Sequence, residues 1–320
     1  MRRLLFSILV LLCSCSSEVE PVVPDSCSVV VQSTWPDNGS TTAHYRQHVE
    51  FHLSAPVDQA TVGSDIAGFQ WVSDDGLTIG FTPDTELEPS TEYRFTLSYC
   101  GGEPEISFTT SNHGVSISDE QSLIGATYYV DLRTIKFFSG GNVSDILLSI
   151  FARNVLLQIT DASAEALSFR FAVAKESAAV AAQDTCYRTL EQSNVMFDTN
   201  PLFTFNTELL EFDAFSAMLR LRSMSLEGSV APDVLSLAGI SFNVVLDVRE
   251  VTEMMGVDNY EEVCALAGNV GTECEPCVHD DVVACIQVEG TGLTGTLVGG
   301  DLIEIGEMNT HEECEKTEQD

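Results

Sequence analysis

His48-Val49-Glu50-Phe51-His52-Leu53 alternates polar and apolar side chains over six positions. A period of two puts Val49, Phe51 and Leu53 on one face of a strand and His48, Glu50 and His52 on the other. The same reading settles a second question. His44, His48 and His52 fall four apart, a spacing that on a helix would aim imidazoles at one metal ion. Along a strand, at ~3.3 Å per residue, His48 and His52 are ~13 Å apart, too far to share one. They are expected to line a solvated strand face.

The flanking sequence reads the same way. Ser28–Gln32 is a β-branched run ending at the turn Trp35-Pro36-Asp37-Asn38-Gly39. Phe69–Val72 and Leu77–Thr82 flank Asp74-Asp75-Gly76, a hairpin signal. Tyr93–Ser98 alternates again, and Ile106–Thr110 closes the set. Short strands at regular spacing between turns predict an all-β sandwich from Cys27 to about Thr110.

Several stretches here carry a resemblance: Phe51-His52-Leu53-Ser54-Ala55-Pro56-Val57-Asp58, Leu77-Thr78-Ile79-Gly80-Phe81-Thr82-Pro83, Leu87-Glu88-Pro89-Ser90-Thr91-Glu92-Tyr93 and Ser107-Phe108-Thr109-Thr110. In order and spacing they resemble the bacterial Ig-like domain of S-layer and adhesin proteins, and Pro36–Gly39 matches that family's PxxG turn. The resemblance covers about 85 residues, and the domain is taken as 27–112. It implies a β-sandwich used as a spacer or binding module, with no catalytic residues to carry over. Cys27 and Cys100 are unusual for that family and are expected to staple the incoming strand to the turn before the last strand.

Residues 113–320 resemble no family of known function. They read as a β-rich α+β domain, so the fold class expected is mainly β: an N-terminal Ig-like sandwich followed by a disulfide-bearing β-rich domain. Thr127–Leu132 is a predicted strand. Val143–Ala152, with Ile146, Leu147, Ile150 and Phe151 at helical spacing, is a predicted amphipathic helix. Val155–Thr160 with Leu167–Ala174, and Ala217–Leu226 with Ile240–Val248, read as strand pairs. In the last of these Ile240, Phe242, Val244, Leu246 and Val248 point inward and Asp247 and Arg249 outward. Val130-Asp131-Leu132-Arg133 echoes Leu246-Asp247-Val248-Arg249, which adjacent strands with exposed cross-strand Asp/Arg pairs would explain. Tyr260–Ala267 is a predicted helix after the possible cap Asp258. Ala284–Val288 and Thr294–Val298 form a last predicted pair.

The N-terminus decides location. Arg2 and Arg3 precede the apolar run Leu4 to Leu12, broken only by Ser7. A basic start, a short apolar core and small residues at a cut site make an export signal. The run is about half the roughly 20 residues that span a bilayer. Leu12-Cys13-Ser14-Cys15 resembles the lipobox of bacterial lipoproteins. That resemblance implies a signal peptide over 1–14 and cleavage before Cys15. It also implies a diacylglyceryl thioether on the Cys15 sulfur and a palmitate-type acyl chain on its amine. Ser16, where that family uses Asp for inner-membrane retention, implies the outer membrane. Residues 15–26 are then a lipidated tether.

The 320 residues carry 49 acids and 14 bases, for a net charge of −35. Loss of the signal leaves 12 bases against 49 acids, or −37. Such charge argues against nucleic acid as a partner. Apolar content of 44% marks a folding chain.

Ten cysteines suit an oxidising compartment. With Cys13 cleaved and Cys15 lipidated, eight remain as disulfide candidates: Cys27, Cys100, Cys186, Cys264, Cys274, Cys277, Cys285 and Cys314. The cluster Cys264, Cys274, Cys277, His279 and Cys285 offers zinc or redox chemistry as alternatives to local disulfides. The exported compartment favours disulfides, and no metal or cofactor is expected. Asp74-Asp75 and Asp280-Asp281 make calcium possible, but neither has the ligand spacing of a calcium loop. The sequence has no G-x-S-x-G, H-E-x-x-H or Ser-x-x-Lys. The glycine pairs at 101–102, 140–141 and 299–300 read as turns.

Three functions remain. The first is a non-enzymatic envelope lipoprotein contacting an envelope protein or polysaccharide. The second is a module whose C-terminal domain holds a ligand in a pocket. The third is an enzyme with an unrecognised site. A largely apolar pocket would favour the second, and a cleft of perturbed titratable groups the third.

Overall fold

The computed structural model describes residues 27–137, 154–175, 181–198, 201–214, 217–269 and 272–306. The leader, Cys15, Cys314 and the expected helix Val143–Ala152 lie outside them.

The N-terminal part is a β-sandwich. One sheet has the order β1 (Val31–Trp35), β2 (Val49–Leu53), β5 (Thr78–Pro83), β4 (Gly68–Val72). The other has β3 (Ala60–Ser64), β6 (Glu92–Tyr99), β7 (Glu105–Thr109). The alternation of β2 holds: Val49, Phe51 and Leu53 are buried and meet Phe95, Leu97, Ile106 and Phe108 from the facing sheet. Phe95 lies 5.5 Å from Phe81 and 5.7 Å from Phe108, centroid to centroid, in the range aromatic pairs favour. The first strand runs Val31–Trp35, three residues later than Ser28–Gln32 suggested. The Cys27–Cys100 disulfide ties the incoming chain to the turn between β6 and β7.

The C-terminal part is an antiparallel barrel. Its strands are β8 (Thr127–Val130), β10 (Val155–Ala162), β11 (Ala166–Val173), β12 (Leu190–Asp198), β13 (Leu202–Ala214), β14 (Ala217–Val230), β15 (Ser236–Asp247) and β17 (Val283–Leu297). From β10 to β15 each strand pairs with the next; β17 then pairs with both β15 and β8, which closes a ring of eight strands among the described residues. Two short strands, β9 (Lys136–Phe137) and β16 (Glu275–Pro276), also pair with β17. The two strands expected at 284–288 and 294–298 are one 15-residue strand. Its glycines mark close packing rather than a turn: a Cβ at Gly290 would meet the Phe242 ring at 2.8 Å, and one at Gly295 would meet Leu237 at 3.2 Å.

Beyond the ring, β14, β15 and β17 run on under helix α2 (Tyr260–Asn269), which follows the single turn α1 (Thr252–Met255). Val263 and Ala267 of α2 pack on Val248, Val251 and Ile286. Asn259 caps α2, its Oδ1 accepting from the Glu262 amide at 3.0 Å, where Asp258 was expected. Residues 299–306 cross the outer face of β10 and β11. There Leu302 packs on Leu156 and Ala172, and Arg170 donates to the Leu302 carbonyl at 2.8 Å.

Two sequence readings need correction here. Asp247 is buried, at 3% exposure, rather than outward. It caps a short 3-10 turn, accepting from the Arg249 amide at 3.1 Å and from its guanidinium at 2.8 and 2.5 Å. Asp131 does the same for Arg133. The echo between the two stretches is therefore a shared strand-end capping motif. It is not a cross-strand pair, since β8 and β15 are not neighbours.

Candidate functional site

Alternation along the eight strands sends one set of side chains into the barrel, and this interior is unevenly filled. At one end Tyr128, Leu123, Ile159, Phe169 and Phe203, all almost fully inaccessible, form a solid plug. Towards the Val130, Val155 and Val173 ends of the strands lies a cavity of about 200 Å³. Its wall is built by Phe205, Met224, Leu226, Ile240, Phe242 and Leu293 with the strand ends just named. An eight-stranded barrel has room for filled side chains or for one small ligand. Here the plugged half shows the first outcome and the cavity the second. Among the described residues, Arg188 is the single charged side chain on this wall. Sequence reasoning missed both it and the strands β12 and β13 beside it. The alternation Phe203-Thr204-Phe205 was the available signal, since both phenylalanines point inward.

The sandwich meets the barrel near the β14–β15 turn. His44 Nε2 lies 2.8 Å from Ser229 Oγ, and His113 Nδ1 lies 3.1 Å from the same oxygen. Ser229 donates to the Ala238 carbonyl at 3.2 Å, so its oxygen must accept from both rings. Each imidazole then has one acceptor nitrogen. That of His44 faces the Arg46 amide at 3.4 Å, and that of His113 faces the Ser236 hydroxyl at 3.2 Å. The network is complete only with both rings neutral. Burial accordingly pushes His44 down to about 3, helped by His113 and Arg46. Burial also lowers His113 to about 4, against the opposing pull of Asp233. Around this network, Arg46 pairs with Glu86 and with Glu227, each at 3.1 Å. Lys136 Nζ sits 3.1 Å from the centroid of the Trp35 ring, a cation–π contact. A serine with two histidines suggests hydrolysis, but Ser229 has no exposed surface and no substrate could reach it.

The other candidate residues fall into structural roles. His48 and His52 both contact Glu50, at 2.7 and 3.0 Å. Burial would raise the Glu50 carboxyl, but these two bonds outweigh it and hold the group near 2. Cys264–Cys274 and Cys277–Cys285 are disulfides, and Cys186 is disulfide-bonded too. Asp247, Cys277 and His279 converge closely enough to suggest a metal site. The Cys277 sulfur is already bonded to Cys285, however, and the Arg249 guanidinium sits 3.1 Å from His279 Nε2 and on Asp247. That donor set does not fit a cation. Asp75 closes its hairpin turn on Ser73 and the Leu77 amide, and Asp280 pairs with Arg249 at 2.6 Å.

Residues 25–110 match the family model of the bacterial Ig-like domain. No curated protein matches the chain. Among solved structures it is similar to an L,D-transpeptidase from Mycobacterium smegmatis, at 12% identity over 62% of this chain and 76% of that one. The TM-score of that comparison is 0.24, too low to carry fold or activity across.

Proposed function

We propose that this chain is a non-enzymatic, lipid-anchored binding module of the bacterial cell envelope. In this reading the lipid on Cys15 attaches it to the outer membrane, the Ig-like domain is the spacer, and the barrel takes up a small apolar ligand. The cavity carries the proposal: about 200 Å³ walled by apolar side chains. Pockets for small molecules are mostly apolar with few polar groups. The Ser229–His44–His113 grouping gives hydrolysis no support, because its serine is sealed.

The volume limits the ligand. At ~30 Å³ per unit, the share of one water in the liquid, the cavity holds about seven such units. That suits a medium-length alkyl chain or one ring. Burying seven methylenes at ~0.8 kcal/mol each gives roughly 5–6 kcal/mol, a dissociation constant on the order of 0.1 mM. Titration of the folded protein with 1-octanol, followed by calorimetry, should show saturable binding with a negative heat-capacity change. Met224→Phe, which adds volume to the cavity wall, should weaken that binding at least tenfold. No saturable binding, or binding indifferent to the filled cavity, would refute the assignment.

A further inference from the structure

We propose that the ligand of this cavity is an amphipathic acid: a short alkyl chain ended by an oxyanion that Arg188 receives at the wall. The inference rests on the apolar-ligand reading and specifies its chemistry. Arg188 lies in the connection between β11 and β12, two residues after the disulfide-bonded Cys186 and two before Leu190, which also lines the cavity. Its Nη2 donates to the Glu211 carbonyl on β13 at 3.0 Å. The guanidinium is thereby tied across from the β12 side to the β13–β14 hairpin, next to the cavity-lining Leu210 and Leu221.

The position of this charge on an otherwise apolar wall is the informative observation. A guanidinium offers five donors in a planar fork, so it can keep its protein contacts and still meet a ligand oxygen. The fork matches carboxylate and phosphate oxygens. Anchoring by the Glu211 carbonyl fixes its orientation in advance, which lowers the ordering cost when a ligand arrives. Alkyl in the cavity and oxyanion at the arginine is the arrangement that uses both halves of the wall at once. The net charge of −35 slows the approach of an anion without altering the contact made on arrival, and moderate salt removes most of that effect.

The experiment compares octanoate, octyl phosphate, 1-octanol and octylamine on the full chain at about 0.15 M salt, where surface charges are screened. Either acid should bind about tenfold or more tighter than octanol, as expected for a hydrogen bond to a charged group, and octylamine should bind weakest. The ranking of octanoate against octyl phosphate identifies the oxyanion. Arg188→Gln should abolish the preference for acids, bringing octanoate to the affinity that octanol shows in the same variant. Arg188→Lys should restore part of that preference. Retained octanol binding also shows that the variants are folded; if Arg188→Gln does not fold, the wild-type comparison decides. Equal affinity for octanoate and octanol, or a preference that survives Arg188→Gln, overturns the acid assignment and makes Arg188 a structural side chain whose stem covers apolar surface. Failure of all four ligands to bind refutes the apolar-ligand reading instead.

Discussion

Lowering the pH should loosen the junction between sandwich and barrel, by an amount that His44 and His113 set. Both imidazoles are depressed, to about 3 and about 4, from an unfolded value near 6.5. Below pH ~6.5 the unfolded chain therefore binds protons that the folded chain refuses, and stability falls as the pH falls. Above ~6.5 both states hold neutral rings and the contribution is constant. Each ring costs up to ~1.4 kcal/mol per pH unit in this window, so the pair removes on the order of 5 kcal/mol between pH ~6.5 and ~4. That is comparable to the whole stability of many domains. The Glu50 carboxyl, held near 2 in the folded chain, takes up protons only in the unfolded chain as the pH approaches ~4, and adds a further loss of under ~1 kcal/mol at that end of the window.

The structural cause is specific. A proton on the acceptor nitrogen of His44 would face the Arg46 amide, and one on His113 the Ser236 hydroxyl. The two ring centroids are 6.0 Å apart, so the second charge would also be repelled by the first. Unfolding in urea at pH 7, 6, 5 and 4.5 measures the effect, with Trp35 fluorescence reporting the junction. The double variant His44→Gln with His113→Gln should flatten most of the pH dependence. A wild-type midpoint that is constant from pH 6.5 to 4.5, or a double variant that falls just as steeply, would refute the neutral-imidazole network as the cause.

Gly239→Ala should weaken the same junction by about 2–4 kcal/mol, because Gly239 has φ +61° and a Cβ there would come within 2.2 Å of the His44 ring; urea unfolding checks it. Replacing both cysteines of a disulfide by alanine should cost more at Cys27–Cys100, which closes 73 residues, than at Cys277–Cys285, which closes 8. Loop entropy gives about 4.4 against about 2.5 kcal/mol, and a reversed order in calorimetry would contradict it. Cys15→Ala should abolish incorporation of a fatty-acid analogue and move the protein from membranes to the soluble fraction; continued labelling would sink the anchor assignment.

The sandwich was legible because its strands have one wet and one dry face. The burial of β2 alternates strictly, as its sequence does. β3 escaped notice because Ala60-Thr61-Val62-Gly63-Ser64 offers only small side chains and weak apolar contrast, although its burial alternates between half-buried and exposed. The barrel was harder for two reasons. Its closure depends on β17 meeting β8, a pairing of residues more than 150 positions apart, which no local pattern encodes. The glycines of β17 also look like a turn until Phe242 is seen packed on Gly290. Asp247 was placed outward by alternation, yet β15 ends at this residue and the carboxylate turns in to cap the 3-10 turn Val248–Glu250. Arg188 carries no signal of its own, since its role depends on which wall it joins.

The energetics of the cavity bear on whether it is a site or a packing fault. At about 24 cal/mol per Å³, an enclosed dry hole of about 200 Å³ would cost on the order of 5 kcal/mol, an upper bound for a pocket that opens to solvent on one side. The wall holds Val155 and Val173, positions where larger apolar residues would reduce the hole, while the other half of the same barrel is packed solid by Tyr128, Phe169 and Phe203. A chain that fills one half with its largest side chains has the means to fill the other. A ligand that binds only the folded state returns stability as its concentration exceeds its dissociation constant, whereas a permanent filling would return it at once and leave nothing to bind. Under the proposed function, the contrast between the two halves is the space that the occupant fills.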